Sequence, residues 1–94
     1  MSALNLPQEL THNRAVDWLK SLVFAVNQAG STTITADASR LTHFDSSALA
    51  VLLACRREVL SEGKTFQIAH MPDKLRQLAI VYGVSELLHS APGG

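Results

Sequence analysis

His43, Asp45, Ser46 and Ser47 fall within five consecutive positions and supply a base, an acid and two hydroxyls. A hydrolytic triad brings nucleophile, base and orienter from separate elements, so three neighbours on one short stretch do not line up as one. Neither serine sits in a G-x-S-x-G elbow, and no Walker-type or dinucleotide glycine loop occurs. The chain is therefore not expected to be an enzyme. The four histidines, His12, His43, His70 and His89, are scattered without ligand-like spacing or a cysteine pair beside them. Zinc needs clustered ligands at short offsets, so neither a metal nor a cofactor is expected. Cys55 is the single cysteine and falls mid-helix on a core face, as an inert buried thiol would. One cysteine excludes an internal disulfide and suits a reducing compartment.

What remains is Asp45-Ser46-Ser47, placed where a helix begins. The Asp45 carboxylate can accept hydrogen bonds from unpaired N–H groups and complement the positive helix end. Ser46 and Ser47 lie in the first turn beside further unpaired donors. Such a start can be plain capping, or it can hold a phosphate on a ligand or on one of the serines.

The elements that must position this turn follow from pattern. Ala3–Leu6 alternates and reads as a short strand, and after Pro7 the run Gln8–Leu10 adds a second. Thr11 stands as an N-cap before a helix from His12 to Ala29, with Ala15, Leu19, Leu22, Val23 and Val26 on one face and Gly30 closing it. Thr32–Ala36 is β-branched and forms a strand; residues 37–44 connect it to the next helix, Ser46–Glu62, closed by Gly63. Thr65–Ala69 is a strand. Pro72 opens a third helix with Leu75, Leu78, Ala79 and Tyr82 inward and Gly83 at its end. Val84–Leu88 makes one more turn, and the tail from residue 89 to 94 is frayed. Alternating strands and helices give an α/β domain over residues 1–94, with a mixed, mostly parallel sheet of about four strands and three to four helices. The first strand is a candidate for an antiparallel edge.

Eight basic and eight acidic residues cancel, and no basic stripe is present, which speaks against nucleic acid. No apolar run approaches the ~20 residues of a membrane span, so a cytoplasmic domain without direct membrane insertion is expected. Charged residues make up 17%, against about a quarter in an ordinary soluble domain. Some apolar surface therefore belongs to a partner. The second helix is the place to look. Ala48, Val51, Leu52, Cys55 and Val59 form its core face, while Leu49, Ala50, Leu53 and Ala54 fill the other directions. A helix apolar all round is buried all round. Either flanking helices cover it, or a partner covers a surface that includes Leu49, Ala50 and Leu53.

The run from Ala36 to Leu53, with its strand, its Asp45-Ser46-Ser47 turn and its apolar helix, resembles the hallmark segment of STAS domains. These are the domains of sulphate transporters and anti-sigma-factor antagonists. The element order and the Leu10-Thr11 region fit as well, so the resemblance spans nearly the whole chain. Residues 78–84 and Glu86-Leu87-Leu88 are similar to the small STAS subunit of the Mla system, the bacterial phospholipid transporter that maintains outer-membrane lipid asymmetry. That resemblance implies a non-catalytic accessory subunit that binds the cytoplasmic ATPase of an ABC transporter. It would sit at the inner face of the inner membrane through the complex, permease included. It implies an interface or phosphorylatable position at Ser46, with Asp45, Ser47, Leu49, Ala50 and Leu53 around it and Arg57, Arg76 and Tyr82 as further contacts. The alternative within the family is an anti-sigma-factor antagonist switched by phosphorylation of Ser46. The usual glycine of the turn is Ala48 here, a change that favours helix.

Overall fold

The protein is represented by a computed structural model that describes residues 2–28 and 30–88. Its elements run β1 (Ser2–Asn5), β2 (Glu9–Leu10), α1 (Ala15–Gln28), β3 (Thr33–Asp37), β4 (His43–Phe44), α2 (Ser47–Ser61), β5 (Thr65–Ala69) and α3 (Asp73–Val81). Single 3-10 turns, His12–Arg14 and Ser85–Leu87, lead into α1 and follow α3. The expected tail from residue 89 and the helix end at Ala29 lie outside the described residues.

β3 is the middle of a three-stranded parallel sheet ordered β1-β3-β5. β1 does lie at the edge, but it runs parallel to β3, pairing Leu4 with Ala36 and Asn5 with Asp37. The antiparallel expectation fails because α1 is interposed between the two strands. A chain that crosses over through a helix returns in its original direction. Residues 37–44 also hold more than a connection. They end in β4, which pairs in parallel with β2, Glu9 opposite His43 and Leu10 opposite Phe44. The Gln8 carbonyl secures this ribbon by accepting the Thr42 and His43 N–H groups at 2.9 and 3.0 Å. The sheet of about four strands is thus three strands plus a separate pair.

Strand alternation divides the larger sheet into two faces. Leu4, Ile34, Ala36, Phe66 and Ile68 point into the core, where Leu22 and Val26 of α1 and Val51, Leu52, Cys55 and Val59 of α2 join them. The other face carries threonines and Gln67, whose amide donates to Thr35 Oγ1 at 3.0 Å. Two glycines then set the ends of α2 and α3. Gly63 and Gly83 both sit at φ +73°, a left-handed conformation in which any side chain is strained. After Gly83 the Val84 N–H returns to the Ala79 carbonyl at 2.9 Å. Pro72 stands one residue before α3, as its cap, rather than inside the first turn.

Candidate docking site

Asp45 ties two helix starts together. Its Oδ1 accepts the Ser47 N–H at 2.8 Å, and its Oδ2 accepts the His12 N–H at 3.1 Å. The Ser47 N–H, with the His12 N–H and the Ser47 hydroxyl behind it, holds the Asp45 carboxyl below the usual carboxylate range despite the opposing effect of burial. Thr11 was the expected cap of the first helical segment. Its hydroxyl instead donates to Glu9 Oε2 at 3.2 Å and makes no capping bond. An ionised acceptor forms the stronger bond to an orphan N–H, and Asp45 reaches this one from 33 positions away. Both carboxylate oxygens are thus engaged with backbone, and among the described residues His43 makes no hydrogen bond to Asp45 or Ser46.

Ser46 is helical in backbone, with φ −62° and ψ −17°. Its carbonyl accepts the Leu49 N–H at 3.1 Å, while its side chain is exposed and makes no hydrogen bond among the described residues. Ser47 is half-buried. From Ser46 a stripe continues at helical spacing through exposed Ala50, half-buried Leu53 and exposed Arg57. Beside it Ser46, Leu49, Ala50, Leu53, Tyr82 and Val84 line a groove of about 300 Å³.

The residues expected at the surface divide here. Leu49 is only 4% exposed, so the domain itself covers it and it contributes the floor of the groove rather than a free face. Tyr82, expected on the inner side of the third helix, stands 58% exposed at the end of α3 and forms a wall. The helix ends there at Gly83, and its buried side is Leu75 and Ala79. Arg76 is exposed, pairs with Asp73 at 3.2 Å and does not line the groove. Val84 was not anticipated. Its signal was an apolar residue directly after a helix-closing glycine, where the chain folds back.

The remaining reactive groups lie elsewhere. Cys55 is 1% exposed, and burial, with the Glu58 charge adding, pushes its thiol up to about 11. Asp37, at the end of β3, is held low by the Ser39 N–H and hydroxyl. Among the described residues no group of three or more His, Cys, Asp or Glu could hold a metal ion, and no helix is long and apolar enough to cross a membrane.

A family model described as "Mlab, STAS domain" matches residues 1–89. The chain belongs to the STAS domain family. Solved structures agree with the fold. The anti-sigma factor antagonist SpoIIAA in its unphosphorylated form is 22% identical, with 96% of this chain and 79% of that one aligned at a TM-score of 0.74. A STAS domain protein from Planctomyces limnophilus, described as an anti-sigma-factor antagonist, is 15% identical over 95% and 81% of the two chains, with a TM-score of 0.77. A sulfate transporter family protein from Wolinella succinogenes is 15% identical over 93% and 70%, with a TM-score of 0.73. No curated protein matches the sequence. At these identities the solved structures speak for the fold, which places this STAS domain's Asp45 turn and groove on one side of α2.

Proposed function

We propose that this STAS domain is a non-catalytic accessory subunit of a bacterial phospholipid ABC transporter, bound to its cytoplasmic ATPase through the groove beside Ser46. The observation that carries the proposal is that groove. It is open and mainly apolar, and it lies directly against the family's hallmark turn. Leu49 gives it a fixed floor, while Leu53, Tyr82 and Val84 offer apolar area that a partner would remove from water at about 25 cal/mol per Å². The family description names Mlab, which favours the transporter among STAS roles. A domain held in this way would work at the inner face of the membrane without inserting into it. Its place in the complex would be next to the ATPase, with the permease beyond.

Co-expression with the ATPase should yield a stable complex that survives purification. Recovery of a sigma-factor kinase and no transporter ATPase from native membranes would contradict the proposal. One observation favours the second reading, an anti-sigma-factor antagonist. The Ser46 hydroxyl is exposed and unengaged, as a phosphorylatable serine must be. Phosphate on Ser46 would face the positive end of α2 and place about two negative charges on the groove rim. Mass spectrometry of the peptide containing Ser46, from protein isolated from its native cells, separates the two readings, since stoichiometric phosphate there favours the switch.

A further inference from the structure

We infer that the docking surface extends beyond the apolar groove into a second, cationic depression that receives an acidic side chain of the bound protein. The inference rests on the reading of the Ser46 groove as a docking site and adds the chemistry of what docks. The depression, about 580 Å³, lies between β4 and α3, with Phe44, Leu78 and Val81 as its apolar part and His43, Lys74 and Gln77 as its polar part. It adjoins the groove. Phe44 lines one and Ser46 the other, two positions apart, and neighbours Val81 and Tyr82 divide in the same way.

Charge selects the occupant. Lys74 and His43 are the ionisable residues of this lining, and no carboxylate shares it. The acids around it are engaged: Asp73 pairs with Arg76 at 3.2 Å, Glu9, opposite His43, accepts the Thr11 hydroxyl at 3.2 Å, and Asp45 accepts the Ser47 and His12 N–H groups. Among the described residues Lys74 makes no ion pair or hydrogen bond. An ammonium with three donors, an imidazole and an amide therefore face outward together above apolar carbon. Val81 is 79% exposed, so the apolar part is also uncovered in the free domain. The matching segment is a stretch of polypeptide carrying aspartate or glutamate next to apolar side chains, the acid against Lys74 and its apolar neighbours in the groove. A polyanion such as nucleic acid is disfavoured because the chain's eight basic and eight acidic residues leave no net field to attract it.

The test compares wild type, Lys74→Gln, Lys74→Glu and Lys20→Glu for binding to the ATPase, at about 50 mM and about 500 mM salt. Lys20 is an exposed cation on α1, outside the lining of both depressions, and controls for net charge. At low salt Lys74→Glu should bind about tenfold more weakly, with Lys74→Gln in between and the gap narrowing as salt rises. Lys20→Glu should match wild type, and all four proteins should melt together. Equal binding by wild type and Lys74→Glu, or equal weakening by Lys20→Glu, would overturn the inference while leaving the docking site in place. A wild-type domain that never binds the ATPase would overturn the docking reading itself, and this inference with it.

Discussion

The two sides of α2 are almost equally apolar in sequence, yet they have opposite fates. Ala48, Val51, Leu52, Cys55 and Val59 vanish into the core, while Ala50 is exposed and Leu53 is left half-covered next to exposed Tyr82. Composition alone places apolar residues under cover without saying whose. The cover here is the sheet and α1 on one side, and nothing from the described residues over the centre of the other. Leu49 marks the border, since it belongs to the core and still forms the groove floor. One stripe of α2 thus serves the domain's own core, while the next is the one proposed to receive a second protein.

The difference can be broken most forcefully from the inside. Leu52→Ala removes a fully buried side chain and should cost about 2–5 kcal/mol of stability. Chemical denaturation would measure it, and a loss below about 1 kcal/mol would mean the inner stripe is less well packed than its burial indicates. A smaller effect is expected where the two sides meet. Asp45→Ala leaves the His12 and Ser47 N–H groups without their acceptor and should cost about 1 kcal/mol, read as a melting temperature several degrees lower. Asp45 also predicts a pH window. Its folded pKa is depressed, so its stabilisation is fully present above the ordinary aspartate value of about 3.9. That contribution is lost as pH falls through the lower folded value. Asp45→Asn should therefore flatten the acid limb of stability below about pH 4, and an unchanged acid limb would remove Asp45 from it. The smallest effect is an absence of reaction. With its pKa raised to about 11 by burial, Cys55 should resist a maleimide at neutral pH until the domain unfolds. Prompt labelling of the native protein would show that the inner stripe opens.

Local pattern made some of this legible and distance hid the rest. Thr65–Ala69 could be read residue for residue, because a branched and aromatic run between Gly63 and Pro72 leaves little choice. β4 could not, since two residues show no alternation and exist as a strand only through β2. Asp45 was legible as a cap for α2, where its target is two positions on. Its bond to the His12 N–H was not, and Thr11 beside that N–H was the misleading local choice. In the site, Ser46 followed from the hallmark turn, and Ala50 and Leu53 from the apolar residues that α2 carries away from its core face. The wall formed by Tyr82 and Val84 depends on how α3 ends, which no spacing along α2 encodes.

In the proposed role the Ser46 side of α2 is a protein interface and not merely a helix start. Ser46 tests it most directly, because fold and interface demand opposite things of one position. At the first turn of a helix a carboxylate gains about 0.3–1 kcal/mol from the positive helix end, so Ser46→Glu should fold with nearly unchanged melting temperature. Buried against a partner the same carboxylate loses its water, a penalty of several kcal/mol unless a cation answers it. Wild type, Ser46→Ala and Ser46→Glu should therefore melt alike, while ATPase binding is kept by the alanine form and lost by the glutamate form. Equal binding by all three, or unfolding of the glutamate form, would place the interface away from Ser46.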